Sequence, residues 1–258
     1  MRSSVDLKYF LPFLEEGELV LTPGRRLSRN ILRNWLEHHN DQRLSVLEMP
    51  RVVPVDQWLE ELWSDLVETG ELRNQRLLSP LQEISLWQHI IRKDSDKNRG
   101  FTLLHANSLA SMAKSARDKL LLNKSPEINL LKDLFAVDDD CEVFFRWNRA
   151  FETWLHNQSA VTRYDAYRQL IDISDLQRVT AGVFMFSDLS PLVREALDRT
   201  CLVKPIDPMI YCAESRPVAR SFVCKENELM AAALWAHQIS QKSPTSHAAI
   251  VSLDLSHD

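Results

Sequence analysis

Glycine is scarce in this sequence, with five residues among 258. No two of them lie close enough to form the glycine-rich loop that cradles phosphate in many nucleotide-binding proteins. Cysteine is also sparse, and its four residues show no Cys-x-x-Cys spacing, so neither a zinc site nor a redox pair is expected. The eight histidines follow no metal-ligand spacing, and no Gly-x-Ser-x-Gly motif marks a nucleophile. We therefore expect no catalytic residues and no metal site within this chain.

An excess of positive charge and a long apolar run are missing as well. The formal net charge is −5, so the chain has no overall basic footprint for nucleic acid, and any contact with DNA has to come from a local patch. No stretch approaches the length of apolar sequence that a transmembrane helix needs. The first residues carry acids early and lack the apolar core of a signal peptide. These features predict a cytoplasmic protein without a membrane partner.

The sequence GELVLTPGRRLSRNILRNWLEHH, residues 17–39, has the layout of a nucleotide-binding loop. It predicts a strand over Glu18–Leu21, a turn over Thr22–Gly24 and a helix over Arg25–His39. The N-terminus of a helix favours anions, and arginine side chains supply planar donors for phosphate oxygens. The residues predicted to bind a nucleotide or phosphate are Thr22, Gly24, Arg25 and Arg26.

The same stretch lacks the groups that hold a triphosphate and its magnesium ion. Arginine stands where a Walker A motif has lysine, and the Ser or Thr that would bind Mg²⁺ does not follow it. This degenerate, P-loop-like turn is therefore not expected to support ATP hydrolysis. Arg29 and Arg33 extend the row of arginines along the helix and are predicted to contact DNA. The alternative is an ordinary strand-to-helix turn whose arginines serve solubility.

Strand and helix signals alternate at both ends of the chain but not in the middle. A strand and a turn within residues 43–54 precede a helix within 53–70, for which Asp56 is the predicted N-cap. Ser79 and Gln82 open the next helix with the pattern of a capping box. From residue 80 to 175 the apolar residues keep a helical period, and no strand is predicted there.

The strand signal returns after residue 175. Strands are predicted over Ala181–Phe186, MIYC (209–212), RSFVC (220–224) and HAAIVSLDL (247–255). Helices are predicted after the cap Ser190 and over residues 226–241. This order indicates an α/β fold, a parallel sheet flanked by helices and interrupted by an all-helical insertion. The predicted α/β domain comprises residues 1–79 and 176–258, and the insertion comprises 80–175.

Acidic and aromatic residues give weaker signals. Asp188 follows the strand Ala181–Phe186, where a Walker B motif has two acids, and capping of the next helix is the alternative role. The acidic run at residues 138–142 is typical of a solvated loop that leads into a helix. The tryptophans mostly lie on apolar helical stripes, so core packing is the expected role.

Several of these segments together resemble a known family. LVLTPGRRLSRNILRNW, RVVPVDQWLEELW and LLSPLQEISLWQHII look like the N-terminal part of a bacterial family of DNA-repair exonucleases, which are similar to the B subunit of the AddAB helicase–nuclease. AGVFMFSDLSPLVREAL is similar to that family's strand and helix at the Walker B position of superfamily 1 helicases. The segment from Ala219 to Leu255 resembles the family's glutamate-bearing helix and following strand, with Glu228 as the glutamate.

The resemblance implies a RecA-like domain split by a helical insertion, as in superfamily 1 helicases. It also implies a longer parent protein with a PD-(D/E)XK nuclease domain that binds Mg²⁺. No strand pair of this chain carries that nuclease motif. The chain stops at Asp258, just after a predicted strand, which also favours a longer parent.

Three functions follow as hypotheses. The first is a degenerate helicase-like scaffold that binds DNA, as single strands or duplex ends, for a nuclease in the same parent. The second is a protein-interaction module that docks a helicase subunit or another repair partner. Exposed apolar residues on the helices of 101–175 would favour it. The third is a nucleotide hydrolase with a divergent loop.

Overall fold

The computed structural model describes residues 7–40, 47–97, 106–124, 139–184, 189–206, 218–242 and 248–251. The strands are β1 (Leu19–Thr22), β2 (Val52–Pro54), β3 (Arg76–Leu77), β4 (Ala160–Val161), β5 (Val179–Phe184) and β6 (Cys201–Ile206). A 3-10 turn (Leu7–Tyr9) precedes the α-helices, which are α1 (Leu11–Glu15), α2 (Arg25–Asn40), α3 (Val55–Glu68), α4 (Pro80–Lys97), α5 (Ala106–Leu122), α6 (Asp139–Asn157), α7 (Arg163–Asp172), α8 (Pro191–Thr200) and α9 (Lys225–Lys242).

Four strands form the main sheet, in the order β2-β1-β5-β6, and all neighbouring pairs are parallel. Val20 pairs with Val52 on one side, and Leu21 pairs with Val183 on the other. The sheet confirms the prediction of an α/β fold with a parallel sheet flanked by helices. The finer RecA-like assignment and the division into 1–79 plus 176–258 around 80–175 stay predictions.

Strand β1 lies between β2 and β5, and its residues are buried on both faces of the sheet. All four residues of β1 are buried, as expected when helices cover a parallel sheet on both sides. Leu19 and Leu21 pack in a core that α3, α7 and α8 complete. Val20 points to the opposite core, where it packs with Ile31 and Trp35 of α2. The layers are therefore helix, sheet and helix.

The caps of the helices match the sequence prediction in two cases and differ in one. The Ser79 amide donates to Gln82 Oε1 (2.9 Å) and the Gln82 amide donates to Ser79 Oγ (3.3 Å), so the predicted capping box is present. Asp56 is not the cap of α3, because Pro54 occupies that position and Asp56 lies in the first turn. Ser190 is the N-cap of α8, but its hydroxyl makes no capping hydrogen bond.

A second core belongs to the middle of the chain. Trp87 of α4 stacks on Phe151 of α6 with ring centroids 4.2 Å apart, and Ala110 and Ala113 of α5 pack in the same cluster. The prediction that residues 80–175 contain no strand is wrong, because Ala160–Val161 forms β4 and pairs in parallel with β3. Two residues are too few for a strand period, so only the partner strand reveals it.

The strand predictions after residue 186 are less successful. Strand β6 was not predicted, because Lys204 and Pro205 interrupt its apolar pattern. Proline is tolerated there because β6 is the last strand of the described sheet and needs no ladder bond on its outer side. RSFVC is not a strand, and neither are residues 248–251 of HAAIVSLDL. The segment MIYC lies outside the described residues.

Contacts within the chain group residues 1–208 into one compact unit and residues 209–258 into another. Within the second unit, α9 confirms the helix predicted over residues 226–241. Of the tryptophans, Trp35, Trp58, Trp63 and Trp87 are buried as expected, whereas Trp235 is half exposed. No helix among the described segments is both long and apolar enough to cross a bilayer.

Candidate nucleic-acid interface

The carboxyl ends of β1 and β5 define the candidate site. From β1 the chain runs through α2 to β2 on one side, and from β5 it runs through α8 to β6 on the other. Helix α2 packs on one face of the sheet and α8 on the other. Such a reversal is the topological switch point, where ligands of open α/β sheets usually bind. Residues Thr22–Gly24 lie at this point, whereas residues 185–188, which include Asp188, lie outside the described segments.

Two hydroxyl groups close the turn after β1. Thr22 is fully buried and Ser28 nearly so. Their oxygens Oγ1 and Oγ lie 2.6 Å apart and share a hydrogen bond, and Thr22 Oγ1 also donates to the carbonyl of Gly24 (3.2 Å). The Gly24 carbonyl then accepts from the amides of Leu27 and Ser28. The hydroxyls are thus committed to holding the turn. The sequence analysis did not predict a role for Ser28. This residue lies six positions after Thr22, and its bond to Thr22 joins the turn to the first turn of α2.

Gly24 is not required by the shape of the turn. A Cβ atom added there would meet nothing within 4 Å, and its φ is not in the left-handed region. Gly182 in β5 differs, because an added Cβ would lie 2.7 Å from Phe13 Cδ1 and 2.8 Å from Ile206 Cδ1. Close packing therefore requires a glycine at position 182 in the sheet core and not at Gly24 in the predicted phosphate-binding turn.

The four predicted arginines lie on the solvent side of α2. Arg25, Arg26, Arg29 and Arg33 are all exposed, and we call these four residues the arginine strip. Within the described part of the chain, hydrogen bonds and ion pairs engage none of the first three, and Arg33 Nη2 donates to Asn30 Oδ1 (3.2 Å). The structure brings these side chains together on one helix with their charges available.

Other polar candidates from the sequence are separate from this site. Asp139, Asp140 and Glu142 occupy the first turn of α6, where acids interact favourably with the helix dipole. Glu228 lies in the first turn of α9 in the second unit. Among the described residues, no three His, Cys, Asp or Glu side chains are grouped to hold a metal ion. Burial raises the pKa of the Cys201 thiol to about 11, so this cysteine is not a nucleophile near neutral pH.

A polar cluster that the sequence did not predict lies between α4, α5 and α7. Arg117 is 2% exposed, and its Nη2 donates to both oxygens of Asp165 at 3.0 Å. Its Nη1 donates to Thr162 Oγ1 (3.1 Å), which caps α7 together with Asp165. In the same cluster Lys114 Nζ bridges Glu83 (3.0 Å) and Asp118 (2.6 Å). Burial raises the pKa of the Glu83 carboxyl. The partners of Arg117 lie 45 and 48 positions away in the sequence, and no spacing rule links residues so far apart. The sequence alone therefore could not predict this cluster.

The site and the fold define a class: a parallel α/β protein with a closed, arginine-bearing turn at its switch point. Comparison with known proteins gives no match to a family model, to a curated protein or to a solved structure. The functional argument consequently depends on the geometry of the chain and on the motifs of its sequence.

We predict that the chain does not hydrolyse ATP. Thr22 and Ser28 bond to each other and are buried, so neither hydroxyl is placed to bind Mg²⁺, and no lysine follows Gly24 to reach the phosphates. A phosphate-release assay should give the same rate with MgCl₂ as with EDTA. A magnesium-dependent rate that is lost in Arg25→Ala would instead establish the nucleotide hydrolase hypothesis.

Proposed function

We propose that this chain is a degenerate helicase-like region that binds DNA as a scaffold in a DNA-repair exonuclease of the AddB-like type. A RecA-like form of the α/β fold is part of the proposal. The observation that carries it is the exposed arginine strip on the helix that leaves the switch point of a parallel sheet. The closed turn beside it favours binding of a backbone phosphate over binding of a magnesium-bound triphosphate.

The geometry of the arginine strip suits a phosphate backbone. Arg25, Arg29 and Arg33 are four residues apart, so they share one face of α2 and follow one another at about 6 Å along its axis. Arg26 widens the strip at the N-terminal end, where the helix dipole adds positive potential. Guanidinium groups bind phosphate oxygens with two parallel hydrogen bonds. A strip of this kind tracks a strand without reading its sequence.

The overall charge makes the strip the expected source of affinity. Because the net charge is −5, the rest of the surface repels DNA on average. If a few phosphate contacts supply the affinity for DNA, that affinity should fall steeply as the salt concentration rises. The nuclease chemistry with its Mg²⁺ is proposed for another part of the parent protein. A helicase subunit and a cytoplasmic location belong to the same proposal.

The test is a salt titration of single-stranded DNA binding by fluorescence anisotropy. In the double variant Arg25→Ala/Arg26→Ala, the plot of the logarithm of the association constant against the logarithm of salt concentration should become less steep by about 1.4. Each lost contact to a single strand removes about 0.7 from the magnitude of the slope. Affinity at low salt should fall for every sequence tested, because phosphate contacts carry no base information.

The control removes the same charge elsewhere. Lys119 and Arg149 are exposed residues of α5 and α6, and Lys119→Ala/Arg149→Ala should leave the salt slope near that of the unmodified chain. An equal loss in both double variants would mean that affinity follows net charge and not the strip. Absence of binding by the unmodified chain at low salt would refute the proposal.

The alternative is a protein-interaction module, for which exposed apolar residues on the helices of 101–175 are the expected sign. Among the large apolar side chains of the described helices α5, α6 and α7, the exposed one is Met112. A single exposed apolar residue is normal for a soluble surface and does not mark an interface.

A further inference from the structure

A cavity of about 300 Å³ lies where helices α4 and α7 begin side by side. Strands β3 and β4 are parallel and in register, so both end at the same place. Helix α4 starts at Pro80 after β3, and α7 starts at Arg163 after β4. The cavity shares no residue with the arginine strip. Its volume is at the lower end of the range for ligand pockets, so it suits a small molecule.

Carboxylates outnumber cations around this cavity. The basic residues that line it are Lys114 and Arg163. The carboxylates that contact these two bases are those of Asp56, Glu60, Glu83 and Asp118. Arg117 and Asp165 nearby pair with each other and leave the balance unchanged. The surroundings of the cavity therefore carry a surplus of negative charge.

Glu83 gives the cavity an acceptor that lacks a donor. The residue lines the cavity and is 4% exposed. Its Oε2 lies 3.0 Å from Lys114 Nζ, whereas Oε1 is buried and has no hydrogen-bond partner among the described residues. A buried acceptor without a donor has lost its hydration and gained nothing in exchange. A ligand that brings N–H groups to this carboxylate would restore the missing hydrogen bond.

The pKa of Glu83 agrees with this shortage of donors. Burial raises the pKa of the carboxyl, and the opposing charges of Lys114 and Arg117 do not cancel the rise. A positive charge close to a carboxyl group favours its ionised form. A further cation in the cavity would therefore stabilise the carboxylate of Glu83.

The remaining lining consists of an aromatic ring and an apolar floor. Tyr164 supplies the ring, and Leu77, Leu78 and Pro80 supply apolar side chains. Aromatic rings attract ammonium ions over their faces. Among the described residues, no three His, Cys, Asp or Glu side chains are grouped to hold a metal ion. The lining therefore suits an organic cation with a short aliphatic part better than a metal ion.

We propose that this cavity binds a small organic ammonium ion, whose N–H groups donate to the carboxylate of Glu83. The ring of Tyr164 would contact the charged end of the ligand. The apolar side chains of Leu77, Leu78 and Pro80 would contact its aliphatic part. An ammonium ion supplies both a positive charge and N–H donors, which are the two things that the cavity lacks.

The test is thermal unfolding of the full chain in increasing concentrations of n-butylammonium chloride, with sodium chloride at matched ionic strength as the reference. A ligand that binds the native state raises the melting temperature in a saturable way. We expect such a rise with butylammonium and none with 1-butanol, which has the same aliphatic part without the charge. Glu83→Gln should weaken the apparent affinity about tenfold, because it removes a hydrogen bond to a charged group.

A second variant tests the site without changing the Glu83–Lys114 ion pair. Tyr164→Leu keeps that pair and should weaken the apparent affinity about fivefold, because it removes the aromatic face. This result is informative even if Glu83→Gln fails to fold. The matched controls are Glu68→Gln and Tyr9→Leu, which make the same chemical changes outside the cavity and should leave the affinity unchanged.

Three outcomes would overturn the proposal. The first is the absence of a saturable rise with butylammonium. The second is an equal affinity in the cavity variants and their controls, which would place the binding elsewhere on the chain. The third is an equal rise with 1-butanol, which would mean that the apolar floor binds the aliphatic part and that the charge is not recognised.

Discussion

Replacing Arg117 by methionine is expected to lower the free energy of unfolding by about 3–5 kcal/mol, the cost of breaking a buried ion pair by removing one partner. Arg117 is 2% exposed, and it donates to both oxygens of Asp165 and to Thr162. Methionine fills much of the same volume but leaves the Asp165 carboxylate without its cation. The capping box of α7 depends on that carboxylate, because Asp165 Oδ2 accepts from the Thr162 amide and hydroxyl.

Urea denaturation followed by circular dichroism measures the effect. Arg149→Met is the matched control, because Arg149 is exposed and the same exchange there should change stability by less than about 0.5 kcal/mol. In Arg117→Met/Asp165→Asn the loss should be smaller than the sum of the two single losses, because the second change removes the stranded charge. A loss below 1 kcal/mol in Arg117→Met would mean that the carboxylate finds another partner, and would contradict the structural role assigned to this pair.

The N-terminal half of the sheet could be predicted because its signals are local. The apolar run before Thr22, the turn at Gly24 and the stripe of Ile31 and Trp35 lie within about 20 residues, and they fold as their pattern indicates. The helix cap at Ser79 was predictable for the same reason, since a capping box is a pattern of four residues. The exposed arginine strip follows from the helical period once the apolar stripe is assigned.

The rest depends on pairs that are distant in sequence. Strand β4 forms by pairing with Arg76–Leu77. Strand β6 contains a proline and forms by pairing along its whole length with β5. Burial of Arg117 reflects a partner 48 positions away. The close packing at Gly182 involves Phe13, nearly 170 residues earlier in the chain. Local propensity carries no information about such contacts, so these features of the fold appear only in three dimensions.

Gly182→Ala is expected to lower the free energy of unfolding by about 1–3 kcal/mol, the usual cost of adding a methyl group to a packed core. The new Cβ would lie 2.7 Å from Phe13 Cδ1 and 2.8 Å from Ile206 Cδ1, well inside contact distance. Both neighbours belong to the face of the sheet that α2 covers. The strain therefore acts on the layer that positions the arginine strip.

Gly24→Ala is the matched control, because the same exchange there meets no atom within 4 Å. Its stability should stay within about 1 kcal/mol, since the loss of unfolded-state entropy and the weaker cap partly cancel. In Gly182→Ala/Phe13→Leu the smaller side chain should relieve the contact, so that the double variant loses less than the sum of the single losses. Additive losses would show that Phe13 does not limit the space at Gly182. A phosphate-binding loop needs its glycine, whereas this turn does not. We therefore expect Gly24→Ala to bind DNA as tightly as the unmodified chain. A loss of DNA affinity without a loss of stability would instead place the phosphate at the turn and not along the arginine strip.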